Sequence, residues 1–246
     1  AVELRIVGKQ VEPATPPVQV APVAEQPFQG YPSAVWNNSG QIIVAWEDRR
    51  AGHTRLFHAA GTSVQGFTPE RQLNEHSAPA MEGREMQGLG SGVMRVTLAA
   101  NDDDRIQAIW LDKRNPTSGY AVWGAASADG GHTFGGNAIV QDELGATVPQ
   151  WHAALAAGGG AFVAAWDDTR EGWGDDAESG DVLLSWHDGR RWSPDLVVPG
   201  ASGDGYQGSP AITLDPRGDL HLIWIERDNL SSPTRLRYLH GAKRDR

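Results

Sequence analysis

A short apolar run that ends in tryptophan occurs four times along the chain, and this repeat constrains the fold more than any other feature. The four runs end at Trp46, Trp110, Trp166 and Trp224, which are 56 to 64 residues apart. Each run has the length of a β-strand and is mostly apolar on both faces, as expected of a strand packed between two sheets. A repeat at this period predicts a propeller or a solenoid.

Each run belongs to a longer unit of similar organisation. A turn and another short strand precede the run, while a polar loop and a third strand follow it, and the first three units also have a fourth strand. Four antiparallel strands per unit are the blade of a β-propeller. We therefore predict one all-β domain, a single β-propeller of about four four-stranded blades. The predicted blades are residues 31–73, 93–141, 150–198 and 208–240.

The fourth unit lacks its last strand, and the N-terminal segment resembles the fourth strands of the other units. We predict that residues 1–7 form the outer strand of the last blade, because closing the ring removes exposed sheet edges. Residues 8–30 contain five prolines. This segment is predicted to be an extended connector rather than a helix or a central strand.

Composition excludes some partners and indicates a location. The chain has 31 acidic and 21 basic residues and a net charge of −10, which is unfavourable for binding nucleic acid or anionic lipid. No apolar run is long enough to predict a transmembrane helix. The sequence starts at Ala1, as a mature exported protein would after signal removal. We expect a secreted, periplasmic or cell-surface protein.

Two segments resemble the Asp-box of sialidase-like propellers, whose pattern is Ser-x-Asp-x-Gly-x-Thr-Trp/Phe. Residues 127–134 read Ser-Ala-Asp-Gly-Gly-His-Thr-Phe, and residues 185–192 read Ser-Trp-His-Asp-Gly-Arg-Arg-Trp, with the aspartate shifted by one position. The resemblance implies a sialidase-like propeller in which each Asp-box is a structural hairpin between the third and fourth strands. It also implies that His132 and His187 have structural roles.

Charged residues follow the strand tryptophans and are the candidate ligand-binding residues. Strand periodicity places Trp46, Asp48 and Arg50 on one side of their strand. Such residues could surround a polar pocket for a glycan, an anionic group or a cation. Alternatively, each aspartate caps its own loop and each arginine pairs with the next blade, and a motif present in nearly every blade favours this interpretation. The candidates are Asp48, Arg50, Asp112, Arg114, Asp168, Arg170, Glu226 and Tyr206.

The resemblance to sialidases implies a possible enzyme, in which arginines hold the substrate carboxylate and a tyrosine–glutamate pair and an aspartate carry out hydrolysis. This chain departs from that pattern. It has about four units rather than six and lacks the family's Arg-Ile/Leu-Pro motif, and no motif marks a nucleophile among Tyr31, Tyr120, Tyr206 and Tyr238. We therefore predict a non-catalytic module that binds a glycan or a protein partner through its long-loop face, with a sialidase-like exo-glycosidase as the alternative.

A third interpretation is an ion-binding structural subunit of a larger assembly. An acidic loop offers oxygen ligands that suit calcium, although a solvated loop is the alternative. A second cluster, Met81, Met86 and Met94 near His76, could hold copper or form an apolar plug over the central channel. No cofactor is predicted to be required, and calcium is the one that the sequence suggests. The calcium candidates are Asp175, Asp176, Glu178 and Asp181.

Overall fold

The computed structural model shows a protein built from β-strands. No helix occurs in the part of the chain that it describes, and hence no helix there that could span a membrane. The described residues are 4–7, 10–13, 17–22, 29–50, 54–75, 92–114, 119–142, 148–170, 179–229 and 231–243.

A short hairpin and the first large sheet occupy the N-terminal part of the chain. The hairpin consists of strands β1 (Leu4–Val7) and β2 (Gln10–Pro13). In the first sheet, two very short strands, β6 and β7, both pair with β5 and together form its outer edge. The strands of this sheet are β3 (Gln29–Trp36), β4 (Ile42–Asp48), β5 (Arg55–Thr62), β6 (Gly66–Phe67) and β7 (Arg71–Gln72).

Three further antiparallel sheets follow, and in each of them consecutive strands are neighbours. The second sheet contains β8 (Val93–Ala100), β9 (Ile106–Asp112), β10 (Ala121–Ser127) and β11 (Ala138–Ile139). The third contains β12 (Gln150–Gly158), β13 (Ala161–Asp168), β14 (Asp181–His187) and β15 (Leu196–Val197). The fourth contains β16 (Tyr206–Leu214), β17 (Leu220–Arg227) and β18 (Arg235–Gly241).

Three of the four strand tryptophans lie between neighbouring sheets. Trp110 packs in one apolar cluster with Ile43 and Leu56 of the first sheet. Trp166 packs in a second cluster with residues of the second sheet, and Trp224 packs in a third cluster with residues of the third sheet. Consecutive sheets therefore stack face to face along the chain, and the predicted β-propeller architecture is confirmed.

The hairpin Ser127–Phe134 connects the second sheet to the first. Within the hairpin, Asp129 accepts hydrogen bonds from the backbone N–H and the hydroxyl of Thr133, at 2.9 and 2.5 Å, and from the Ser127 hydroxyl at 2.8 Å. The amide of Asn37 donates to the Gly130 carbonyl at 3.1 Å across the sheet boundary. The Phe134 ring meets the His58 ring edge-on, with the centroids 4.8 Å apart. The hairpin is thus part of the contact between sheets.

The structure corrects the predicted closure of the ring. Strand β1 pairs with β2, with Leu4 opposite Pro13, whereas β18 pairs only with β17 in the part of the chain that the structure describes. Residues 10–13, which were predicted to belong to an extended connector, form a strand instead. Pairing with a segment two residues away closes a much shorter loop than pairing with the far end of the chain, and it therefore costs less conformational entropy.

The fourth sheet leaves apolar side chains uncovered. Ile223 occupies the position just before the strand tryptophan and is 44 % exposed, whereas its counterparts Ala45, Ile109 and Ala165 are completely buried by the next sheet. Leu236 of β18 is also exposed, at 77 %. Among the described residues, no fifth sheet packs on this face.

We predict that the buried strand tryptophans dominate stability. Trp110→Ala should lower the free energy of unfolding by about 3–5 kcal/mol, because it leaves a large cavity between two sheets. Trp186→Ala is the matched control, since Trp186 is 42 % exposed on β14. It should change the free energy by about 0.5 kcal/mol or less. Urea denaturation followed by circular dichroism measures both, and equal losses would contradict the packing described above.

Asp129 of the hairpin should make the free energy of unfolding depend on pH. Burial by itself raises the pKa of Asp129, but the hydrogen bonds from Thr133 and Ser127 outweigh it and hold that pKa to about 2. In the unfolded chain the carboxyl has its ordinary pKa of 3.8. The unfolded state therefore binds more protons between these values, and stability falls as the pH falls through this window.

We expect Asp129→Asn to be less stable than the parent protein at pH 7 and to lose less stability between about pH 4 and pH 2. Urea denaturation at a series of pH values measures this difference. Asp103→Asn is the control, since Asp103 lies in a turn and no hydrogen bond to its carboxylate occurs among the described residues. The same acid dependence in Asp129→Asn and in the parent would show that the hairpin carboxylate is not responsible.

Candidate functional site

The aspartates of the predicted charge ring cap their own loops. In the first three sheets, the aspartate two positions after the strand tryptophan accepts a hydrogen bond from the backbone N–H two residues further along. The bonds run from Arg50 to Asp48 at 2.9 Å, from Arg114 to Asp112 at 2.8 Å and from Arg170 to Asp168 at 2.9 Å. Because the carboxylates are buried, they need such donors.

The arginine side chains bind the same aspartates and then reach the outer edge of their own blade. Arg50 pairs with Asp48 and Glu70. Arg170 pairs with Asp168 at 2.7 Å and with Asp195 at 2.6 Å. Arg170 also pairs, at 3.2 Å, with Asp142, which follows the last strand of the second blade. The closest carboxylates nevertheless belong to the arginine's own blade, which corrects the prediction that each arginine pairs with the next blade. A carboxylate of the same blade lies closer because the loop after the tryptophan strand folds back toward that blade's last strand.

In the second blade, the arginine side chain contacts an aromatic ring and an amide as well as its aspartate. Arg114 pairs with Asp112 at 2.6 Å, its guanidinium carbon lies 3.5 Å from the centre of the Trp123 ring, and it donates to Asn137 at 3.3 Å. Two of the four strand tryptophans join the same network, since Trp110 and Trp166 donate from Nε1 to Asp112 and Asp168 at 3.1 and 3.2 Å.

The electrostatic effect of this network is clearest at Asp48. Burial raises the pKa of Asp48, but hydrogen bonds from Arg50 and Gln29 outweigh it and hold the pKa to about 2. Asp195 shows the opposite balance. Burial raises its pKa to about 6 despite the hydrogen bond from Arg170. The Trp-x-Asp-x-Arg repeat therefore builds an internal network in each of the first three blades, and a role in ligand binding stays a prediction.

The two remaining candidates of the ring have partners of other kinds. Glu226 on β17 forms ion pairs with Arg235 and Arg237 of the neighbouring strand, at 3.2 and 3.4 Å. The Tyr206 hydroxyl donates to Asp167 Oδ2 at 2.7 Å. Tyr206 thus lies next to a group of residues that the sequence did not single out.

The first strand of every blade has a β-bulge at the same place, and the residue in the bulge has a left-handed backbone conformation. The φ angles are 49° at Tyr31, 60° at Arg95, 46° at His152 and 51° at Ser209. Only one other non-glycine residue among those described has a positive φ. A side chain is disfavoured in this conformation, and such strain is concentrated at functional sites.

The four bulges surround one cavity of about 730 Å³. They lie where the first strands begin and the tryptophan strands end, which is the face predicted to carry the long loops. Two aromatic rings, those of Tyr31 and Trp151, are partly exposed. The cavity lining includes Tyr31, Arg95, Trp151, His152 and Ser209, together with the apolar Leu111.

Arg95 is the most available charged group at this cavity. Its guanidinium carbon lies 4.6 Å from the centre of the Tyr31 ring. No carboxylate among the described residues forms an ion pair with it, and its side chain is exposed. Its backbone N–H donates to the buried Glu47 at 2.7 Å. The guanidinium therefore remains available to a ligand.

Two buried carboxylates hold the bulges in place. Asp167 accepts the Ser209 N–H at 2.7 Å and contacts His152 Nδ1 at 2.5 Å, in addition to the Tyr206 hydroxyl. The hydrogen bond to Asp167 raises the pKa of His152. Glu47 has the same position in the first blade, and burial raises the pKa of its carboxyl. Each carboxylate thus fixes the backbone of the following blade's bulge.

The sequence carries one signal for these two carboxylates. Glu47 and Asp167 directly follow a strand tryptophan, where the other two blades have the apolar Leu111 and Ile225. An acidic side chain that alternates with the capping aspartate must lie on the opposite face of its strand. The bulges themselves have no such signal, because their residue types are ordinary for strands.

The structure does not describe most of the predicted metal ligands. Asp175, Asp176 and Glu178 lie outside the described residues, and Asp181 accepts a hydrogen bond from the Gly203 N–H at 3.1 Å. The predicted Met81 and Met86 also lie outside them. In the described ranges, no group of three or more histidine or acidic side chains is placed to hold a metal ion. Calcium and copper stay predictions.

The third methionine of that predicted cluster is described. Met94 lines the cavity between the bulges. Its position next to Arg95 gives the cavity wall an apolar surface beside the free guanidinium.

Comparison with known proteins supports the fold. No protein-family model matches the chain, and no curated protein matches it in sequence. Among solved structures, an α-L-arabinanase from Penicillium chrysogenum complexed with arabinobiose is similar, with a TM-score of 0.55 and 15 % identity. The match covers 91 % of this chain and 66 % of the arabinanase, so this chain spans just under two thirds of that protein's length.

Sialidases are similar to the same degree. A Hadza microbial sialidase matches with a TM-score of 0.54 and 14 % identity over 86 % of this chain and 44 % of its own. The NanB sialidase from Streptococcus pneumoniae matches with a TM-score of 0.53 and 13 % identity over 95 % of this chain and 33 % of its own. At these identities the likeness concerns the fold alone, and that fold is a sialidase-like β-propeller.

Proposed function

We propose that the chain is a glycan-recognition module that binds a sugar unit in the cavity between the four bulges. The observation that carries this proposal is the fourfold repetition of backbone strain around one cavity. A left-handed conformation at a non-glycine residue costs about 1–3 kcal/mol. Four such residues surround the cavity, and their side chains differ from blade to blade. Strain retained at four equivalent positions with different side chains suits a binding site better than a packing requirement.

The chemistry of the lining matches a saccharide. Sugars present apolar C–H faces and a rim of hydroxyls, so they need flat apolar surfaces together with hydrogen-bonding groups. Trp151 and Tyr31 provide the surfaces, and the Trp151 ring is held by the Tyr120 ring, with the centroids 5.2 Å apart. Arg95 and His152 provide donors at the same cavity. A volume of about 730 Å³ is within the ordinary range for ligand sites.

The electrostatics favour binding over hydrolysis. A tyrosine nucleophile must lose its proton, which requires a lowered pKa or a free base. Burial and the neighbouring Asp167 instead raise the pKa of Tyr206 to about 12. Asp167 is also occupied by three donors. The Tyr206–Asp167 pair therefore supports the bulges and lacks the properties of a nucleophile and its base.

A glycosidase is the second candidate, and Glu47 is the observation that favours it. Burial raises the pKa of its carboxyl, as in general acids that protonate a leaving group. The similar structures include enzymes whose names describe action on arabinans or sialosides. A secreted, periplasmic or cell-surface location remains part of this proposal.

Binding and turnover measured together test the proposal. We would titrate the protein with arabinohexaose and sialyllactose by calorimetry and follow the same sugars for cleavage by chromatography. We expect binding of at least one sugar without cleavage. Glu47-dependent cleavage of either sugar would favour the glycosidase. Absence of binding to both, extended to a glycan array of neutral and acidic sugars, would remove the central cavity as a glycan site.

We predict that Trp151→Ala weakens sugar binding at least tenfold, a loss of about 1.4 kcal/mol or more, because the stacking surface is lost. Trp186→Ala is the control, since Trp186 is an exposed tryptophan on the same blade that does not line the cavity. It should bind like the parent protein. Equal affinity of the Trp151 variant and the parent would contradict the proposed site.

A matched pair at Tyr31 separates strain from recognition. Tyr31→Gly removes the ring and relieves the left-handed conformation, whereas Tyr31→Ala removes the ring and keeps the strain. The glycine variant should be more stable than the alanine variant by about 1 kcal/mol. Both variants should lose sugar affinity to a similar extent. Thermal denaturation and calorimetry check this, and equal stability of the two variants would mean that the bulge is not strained.

A further inference from the structure

A second cavity lies between the second and third sheets, away from the four bulges. Its volume is about 550 Å³. One wall is strand β11 with the exposed side chain of Ile139, and the other is the hairpin of residues 187–194. None of the four bulge residues lines it. The cavity is therefore separate from the site proposed above.

The equivalent place between the first and second sheets is closed by two side chains. There His58 of β5, which lies opposite Ala45 of β4, packs against Phe134. In the second sheet the equivalent residue is Gly124 of β10, which lies opposite Ile109 of β9. Gly124 lines the cavity and places no side chain where the first sheet has His58. A Cβ at Gly124 would lie 2.7 Å from the Ala108 carbonyl oxygen, so the backbone of β9 favours glycine at this position.

The aromatic residue of the third blade's hairpin also departs from the pattern. Trp192 corresponds to Phe134 in the aligned hairpins, but its ring packs against His187 of its own blade, with the centroids 5.1 Å apart. Trp192 lines the cavity and is only partly buried. One surface of a large aromatic ring therefore borders open space, as it does in sites that stack flat ligands.

Two arginines border the same cavity and have no acidic partner in contact. Arg190 and Arg191 are exposed, and neither guanidinium forms an ion pair or a hydrogen bond with any described residue. Asp188 accepts hydrogen bonds from their backbone N–H groups, at 2.8 and 2.9 Å. By contrast, Arg50, Arg114 and Arg170 all bind carboxylates. Two free guanidinium groups on one tight turn favour an anionic ligand group.

A buried polar group at the inner wall gives an independent indication of a ligand. Gln107 is only 2 % exposed and lines the cavity. Its Nε2 donates to the Ala108 carbonyl at 3.3 Å, whereas no described residue donates to its Oε1. A buried acceptor without a donor is unfavourable, and a ligand hydroxyl that reaches the inner wall could provide that donor.

We propose that this cavity, bordered by Gln107, Gly124, Arg190, Arg191 and Trp192, is a second binding site that takes an acidic oligosaccharide. A sugar ring stacks on Trp192, its carboxylate or sulfate binds the two arginines, and a hydroxyl donates to Gln107. A saccharide fits better than an acidic peptide, because the site combines one stacking surface with a buried acceptor for a hydroxyl. This inference does not depend on sugar binding in the central cavity.

The acidic net charge of the chain allows binding at a local basic site to be distinguished from overall electrostatic attraction. The net charge of −10 repels acidic polymers in general. Retention of an acidic sugar at physiological salt would therefore require a local basic site rather than overall attraction.

The test uses the full chain and four probes in calorimetry at 0.15 M salt. Trigalacturonate carries carboxylates only, a heparin-derived hexasaccharide carries sulfates as well, maltohexaose is neutral, and hexaglutamate is an acidic peptide. We expect one or both acidic sugars to bind more tightly than maltohexaose and hexaglutamate. Comparison of the two acidic sugars shows whether the anionic group is a carboxylate or a sulfate.

Variants locate the binding. Arg190→Gln with Arg191→Gln should weaken acidic-sugar binding at least tenfold, and both positions are exposed, so folding should be retained. Trp192→Phe, which introduces the side chain of the other hairpin, should weaken it several-fold. Arg217→Gln is the matched control for an exposed arginine on another blade, and Arg95→Gln tests the central cavity. Arg217→Gln should bind acidic sugars within twofold of the parent protein, whereas any loss in Arg95→Gln reports on the central cavity and not on this site.

Several results would overturn the proposal. These are an absence of binding to either acidic sugar, tighter binding of hexaglutamate or maltohexaose, and unchanged affinity in the double arginine variant. An equal loss in Arg217→Gln would indicate general surface charge. A loss confined to Arg95→Gln would assign the binding to the central cavity, which would support the proposed function and reject this second site.

Discussion

Each sheet after the first is held to the sheet before it by a tryptophan buried between them, and the rest of the structure depends on this contact. Trp110 and Trp166 also donate from their indole nitrogens to Asp112 and Asp168. The same aspartates cap the following loop and bind an arginine. The Trp-x-Asp-x-Arg repeat therefore joins apolar packing, loop geometry and charge neutralisation in one unit, so that a blade presents its loops in a fixed orientation.

That rigidity allows strain to be kept at the centre. The residue after the tryptophan lies on the opposite face of its strand, and in two blades it is acidic. Glu47 and Asp167 there accept the backbone N–H groups of Arg95 and Ser209, which are held in left-handed conformations. One strand thus contributes a structural network on one face and, through the other face, fixes a bulge that lines the central cavity. The second cavity lies beside Gly124, which stands where the first sheet has His58.

The predictions from sequence succeeded where a residue type has only one way to satisfy its physical requirements. A strand-length apolar run must be buried on both faces, and an aspartate of the Ser127–Phe134 hairpin must cap nearby amides, so the blades and turns followed from local pattern. The same reasoning erred where two partners compete. Residues 4–7 could pair with β18 or with the adjacent run, and the shorter loop prevailed. Arg170 had carboxylates on two sides, and Asp195 of its own blade, at 2.6 Å, is nearer than Asp142, at 3.2 Å.

The sequence by itself determined the all-β propeller fold, because the period of its apolar runs and turns is encoded residue by residue. The tertiary structure alone decided which side chains meet. Tyr31, Arg95, His152 and Ser209 are far apart in the chain and share no residue type, yet the equivalent bulges bring them to one cavity. Likewise, Gly124 and Trp192 acquire a common role only because two sheets stack. Stacking relates equivalent positions of different blades, and this relation between distant residues has no local signature in the chain.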